Sequence, residues 1–152
     1  MRKGTFIISI LLSTIYIGCK NGEDYSDDKK LCELLAQMKI DDQSIRKMDL
    51  LKNGSQRQKD SLWKIQEEID ERNTEKLIDI TKKRGWVSKK GLNCRESISP
   101  VLIFRHSNEK FHEEIKMLIE IESKAGRMES GDFMFIENHL NGRPDFDFGV
   151  EK

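Results

Sequence analysis

The sequence predicts an all-α fold, an irregular bundle of six or seven short helices ending in a non-helical C-terminal tail. Three observations predict it. Only 2 prolines occur in 152 residues, and Lys, Glu, Asp, Ile and Leu dominate, a composition that favours helices over a sheet. Apolar residues recur at spacings of three and four through most of the chain. One run, Ile98 to Ser107 (ISPVLIFRHS), is strongly apolar and marks the expected central helix, with Val101 to Phe104 as core.

The elements follow in order from the N-terminus. Arg2 and Lys3 precede fourteen uncharged, mostly apolar residues, 5–18. As a helix that run spans about 21 Å at ~1.5 Å per residue, short of the ~30 Å bilayer core, so it reads as a cleaved signal peptide rather than a permanent span. Gly18-Cys19 ends it, followed at once by Lys20 and Asn21. This junction resembles the lipobox of bacterial lipoproteins, which are cut before a diacylglycerol-bearing cysteine; Ile17 and Gly18 fit, and Tyr16 stands where leucine is usual. The resemblance implies that Cys19 is the lipidated mature N-terminus. An ordinary signal with an incidental cysteine is the alternative.

Without residues 1–18 the chain has 134 residues, with 25 basic against 27 acidic groups after loss of Arg2 and Lys3. That length supports one core, expected over 31–152. The near balance of charge offers no concentrated basic face for a nucleic acid. Residues 19–30 have no apolar periodicity and are expected to be a flexible acidic tether reaching about 35 to 40 Å. Glu23, Asp24, Asp27 and Asp28 resemble the acidic surface-export signal of some bacterial lipoproteins, although a plain solvated linker has the same composition. Lys20 after the cysteine favours, by the same resemblance, the outer membrane.

Asp27 or Asp28 can cap a first helix over 29–40, with Leu31, Leu34, Leu35 and Met38 inward, and Asp41 or Asp42 a second over 43–52, ended by Asn53-Gly54. Ser55 opens a helix to about Arg72, its stripe Leu62, Ile65 and Ile69 with Trp63 at the edge. Asn73 or Thr74 suggests a break and a new cap before a short helix ending at Lys82, Lys83, Arg84 and Gly85. Trp86 to Asn93 reads as a loop. Ser99-Pro100 can serve as cap and first residue of the central helix, or Pro100 can kink one begun near Cys94. Asn108 caps a helix over 109–125 with Phe111, Ile115, Leu118, Ile119 and Glu122 on one stripe. Ser130 or Asp132 starts the last, with Phe133, Ile136 and Leu140 inward. The tail places Phe146 and Phe148 alternately with Asp145 and Asp147.

Chemistry-bearing motifs are sparse. With Cys19 taken by lipid, Cys32 and Cys94 can pair in an exported protein, closing a loop of about 60 residues worth roughly 3 to 4 kcal/mol, or remain two buried thiols. His106 shares a side of the central helix with Leu102 and Ile103, where it is either a general base or a core histidine with one satisfied bond. His112 lies in HEEIK, which lacks the second histidine of HExxH, so zinc is not expected. Glu67, Asp70, Glu71 and Arg72 read as a solvated face. No phosphate loop, GxSxG elbow or nucleotide fingerprint is present, and no cofactor is expected.

From Ile69 to Gly149 the chain resembles an uncharacterised bacterial domain family, many members exported, that reads D-x-x-N, G-W-P, Q-H-A-D, L-x-D-R and a closing Y-G-T-Q. Asp70 and Asn73 match the first pair and Gly85-Trp86 the second, with Val87 in place of proline. His106 falls 20 residues after Trp86, flanked by Arg105 for glutamine and Asn108 for aspartate. Asn138-His139 stands for Asp-Arg, and Phe148-Gly149-Val150-Glu151 for the closing motif. The resemblance implies a helical domain with a polar cluster of His106, Asp70, Asn73, Trp86 and His139, and no particular reaction. The departures concentrate at polar positions.

Two functions are therefore expected: a lipid-tethered envelope protein that binds a partner or ligand, or a hydrolase or transferase in which His106 is the base and Asp70 or His139 orients it.

Overall fold

The structure, a computed structural model, describes residues 23–46 and 48–144. The expected signal peptide, Cys19 and the rest of residues 1–22, residue 47, and the tail over 145–152 with Phe146 and Phe148 lie outside the described residues. Within them the fold is all-α, with six helices and no strand.

α1 spans Asp28–Ile45 and is capped by Asp27, whose Oδ1 accepts from the backbone N–H groups of Lys29 and Lys30 at 3.0 and 3.1 Å. The expected break at Asp41-Asp42 does not occur. Leu31, Leu35, Met38 and Asp42 form one buried stripe spaced by three and four, so Asp42 points into the protein instead of capping a new helix. The chain turns only after Ile45, and α2 is a single short piece, Met48–Asn53.

α3 runs unbroken over Gln56–Arg84, 29 residues, where two short helices parted at Asn73-Thr74 were expected. Both residues favour breaks in isolation because their side chains compete for backbone hydrogen bonds. Here they are buried against α1, and the Asn73 amide donates to the Met38 carbonyl at 3.1 Å, which turns a local breaker into a contact between helices. Ser55 and Gln58 form a capping box at the start, and Gly85, at φ 80°, ends the helix. The expected stripe at Leu62, Ile65 and Ile69 is not the buried one: Ile65 is exposed, and the buried face is Gln66, Asn73, Thr74, Leu77, Ile78, Ile80 and Thr81.

The ISPVLIFRHS run condenses into α4, Pro100–Arg105, with proline in the first turn. Ile103 and Phe104 are core; Val101 and Leu102 are only half-buried. A 3₁₀ turn at Glu109–Phe111, capped by Asn108, leads into α5, His112–Lys124, and α6 covers Ser130–Leu140. α1, α3, α4, α5 and α6 surround a core of Leu31, Leu77, Ile80, Phe104, Ile115 and Ile136. α3, not α4, is the long member on which α1, α2, α4 and α5 pack, while α6 lies on α4 and α5.

Cys32 and Cys94 form a disulfide, Cα atoms 5.5 Å apart, that ties α1 to the loop before α4. Part of the expected tether is also docked. Tyr25 is buried and its hydroxyl donates to Asp79 at 2.8 Å; Glu23 pairs with Lys76 and Asp28 with Arg84. The reason is the ring of Tyr25, an apolar body with a polar tip that finds partners on α3. Residues 23–30 thus belong to the folded body.

Candidate functional site

α1, α3 and α4 meet at a cluster that the helical spacing builds directly. Asp42 continues the inward stripe of α1. Gln66 and Asp70 continue, one turn apart, the inward face that Asn73 and Leu77 carry on α3. His106 is the residue at which α4 ends.

His106 Nδ1 lies 2.6 Å from Asp42 Oδ1. Asp42 is 1% exposed; burial would raise its pKa, but the bonds from His106 and Gln43 and the charges of His106 and Arg46 outweigh burial and hold it at about 2. An ionised carboxylate only accepts, so Nδ1 carries the proton, and Nε2 is left toward an open cleft of about 340 Å³. Arg46 Nη2 donates to both oxygens of Asp70, at 2.8 and 2.9 Å, and approaches Asp42 Oδ1 at 3.3 Å. Gln66 Nε2 donates to Asp70 Oδ1 at 2.8 Å. Asp70 is shifted upward even so, because burial, reinforced by the Asp42 charge, exceeds what Arg46 and Gln66 return. The two carboxylates are thereby pushed apart in acidity.

Ligand atoms of Asp42, Asp70 and His106 lie within 4.8 Å of one another, a spacing that a metal ion can bridge. Arg46 already sits between the two carboxylates and supplies the positive charge that such an ion would bring. A cation could enter only by displacing it.

Of the residues expected to cluster, the structure brings His106 and Asp70 together. Asn73 lies one turn further along α3, spent on Met38. Trp86 serves packing: its N–H donates to Glu122 at 2.7 Å, its indole to Asp132 at 3.0 Å, and its ring lies 5.9 Å from that of Phe104. Glu122 also holds Arg127 at 2.6 Å, and a side chain at Gly85 would meet both groups at 3.0 Å. The Gly-Trp pair is a joint between α3, α5 and α6.

His139 sits in a second cleft of about 540 Å³ with Ser107, His112 and Arg143. Its Nδ1 accepts from Arg143 Nε at 3.1 Å, so Nε2 carries the proton and donates to the Ser107 carbonyl at 3.2 Å. Burial first, then the charge of Arg143, outweighs the Ser107 bond and lowers it to about 4. It does not bond His106.

Sequence reasoning missed Asp42, Arg46 and Gln66. The available signal was register: Asp42 follows Leu35 and Met38 by seven and four, and Gln66 and Asp70 precede Leu77 by eleven and seven. Compared with known proteins, the chain matches no family model, no curated protein and no solved structure.

Proposed function

We propose that this chain is an exported bacterial envelope protein, tethered by lipid on Cys19 to the outer membrane, whose cleft between α1, α3 and α4 binds a ligand or a partner protein. The observation that carries the binding reading is the set of the buried Asp42 and the half-buried His106, Arg46 and Asp70 at an open cleft. Four ionisable groups gathered at one helix junction are costly to desolvate, and a hydrophobic set would be about as stable, so their presence fits a binding task. Export is supported by the Cys32–Cys94 disulfide, which persists in oxidising compartments, and by the lipobox-like Gly18-Cys19. No helix among the described residues is long and apolar enough to cross a membrane. The family resemblance over 69–149 belongs to the same reading: its Asp70 and His106 are the two positions that converge.

Cell fractionation of Cys19→Ala tests the tether: release from the membrane fraction is expected, and retention overturns it. For the cleft, a ligand that raises the Tm of the wild type and not of His106→Gln is expected from screens of metabolites, peptides and glycans. A pull-down from envelope fractions addresses a protein partner.

The Asp42–His106 bond favours one second reading, a hydrolase or transferase with His106 Nε2 as general base. Asp42, rather than Asp70 or His139, would be its orienting group. Turnover of ester, amide or phosphoester panels that is lost in His106→Asn would establish it.

A further inference from the structure

Two hollows share a wall. The cleft above His106 is lined by Arg46, Trp63, Gln66, Glu67, Asp70 and Asn108, and a smaller hollow of about 150 Å³ shares Arg46, Trp63 and Gln66 with it and is lined further by Ile45, Leu51 and Leu62. One end is polar and the other apolar. Trp63 lies between them, 55% exposed.

The polar end is rich in acceptors. His106, protonated on Nδ1 toward Asp42, presents Nε2 as an acceptor when neutral. Glu67, an exposed carboxylate, has no ion pair among the described residues. Gln66 is 4% exposed, and while its amide nitrogen binds Asp70 its carbonyl oxygen is buried with no partner. Of the two carboxylates that line the cleft, Asp70 is held by Arg46 Nη2, which also reaches the buried Asp42, while Arg46 Nε is buried without a partner among the described residues; Glu67 is left as the unpaired negative charge among them. Such a wall is complementary to a donor that carries positive charge, and an indole face beside it attracts a cation.

We propose that the adjoining hollows bind an organic ammonium ion with an apolar chain: the ammonium at His106, Glu67 and the Trp63 face, and the chain laid over Trp63 against Ile45, Leu51 and Leu62. The inference rests on the cleft being a binding site and adds the ligand's chemistry. A free alkylamine and the side chain of a lysine share it.

Titration of the full-length chain with n-hexylammonium, n-hexanoate and n-hexanol, followed by calorimetry and by NMR shifts of Trp63 and His106, tests it. Expected is saturable hexylammonium binding that moves both signals, at least about tenfold tighter than hexanoate, and weakened about fivefold in Glu67→Gln and in Trp63→Leu. The two substituted positions are exposed, so folding is preserved. A short acetylated peptide with one lysine separates the sources: tighter binding than hexylammonium assigns a peptide, weaker binding a free amine. Hexanoate or hexanol moving the same signals as strongly as the ammonium overturns the ligand class and leaves the cleft a binding site. No shift at Trp63 or His106 with any probe overturns the ammonium inference, while the metabolite screen still decides the broader reading.

Discussion

His106 and His139 belong to adjacent clefts of one small protein and are wired in opposite senses. His106 carries its proton on Nδ1, facing a carboxylate; His139 carries it on Nε2, facing a carbonyl, with a guanidinium at its other nitrogen. The first ring faces a negative group and the second a positive one. The tautomer of each ring follows from its neighbour, and with it what the free side of the ring can do: Nε2 of His106 is available to a ligand, whereas both nitrogens of His139 are engaged.

The largest test of this contrast is Asp42→Ala. It removes the 1%-exposed carboxylate that holds His106 Nδ1 and leaves Arg46 with Asp70 alone, and a loss of about 3 to 5 kcal/mol in urea denaturation is expected. If Arg143→Ala, which removes the bonds to His139 and to the Arg105 carbonyl but leaves Asp42 untouched, cost as much, the contrast would be broken.

Breaking the disulfide comes next. Cys32→Ser with Cys94→Ser frees a loop of 62 residues and should lower stability by about 4 kcal/mol. Because the bridge holds α1, the helix of Asp42, NMR of the variant should show the His106 signal altered and the His139 signal close to wild type.

Acid should then separate the two sites. His139 is depressed from 6.5 to about 4, so the stability its neutral form provides is complete above pH 6.5 and is lost as pH falls from there toward 4. Asp42 is depressed from 3.8 to about 2, so its contribution persists until pH falls below 3.8 and is lost toward 2. Urea midpoints measured against pH should fall in two steps, and His139→Gln should abolish the upper one. A single step near pH 3 would contradict the His139 assignment.

The smallest effect sharpens the comparison most. Arg143→Ala is expected to change stability by less than about 1 kcal/mol, because Arg143 is exposed, yet to move the His139 titration upward from about 4 toward 6.5. An unmoved titration would leave burial as the whole cause.

How much of this was legible follows from what helical spacing encodes. Leu31, Leu35 and Met38 announced the inward face of α1, and Ile115 and Ile119 that of α5, because apolar residues at spacings of three and four carry their own evidence. Asp42, Asp70 and Asn73 occupy the same register, yet polarity normally means exposure, so the sequence suggests a cap, a solvated face and a break at these positions and assigns nothing to Gln66. Only partners distant in sequence, His106 for Asp42 and Met38 for Asn73, make their burial tolerable, and periodicity holds no record of them. The disulfide was an open alternative for the same reason. His106 and Asp70 were found through the resemblance, while Gly85 and Trp86, found the same way, hold helices together.

The docking of Tyr25 on Asp79 sets how far this domain can stand from a bilayer. With Glu23 pinned to Lys76, four residue steps separate Cys19 from the folded body, a span of about 14 Å at full stretch where eleven residues would have allowed ~40 Å. A lipid on Cys19 would then hold the protein against the headgroups, with little freedom to swing. Its clefts would sample a thin layer of fluid at the membrane face, and whatever occupies them would have to come to that layer.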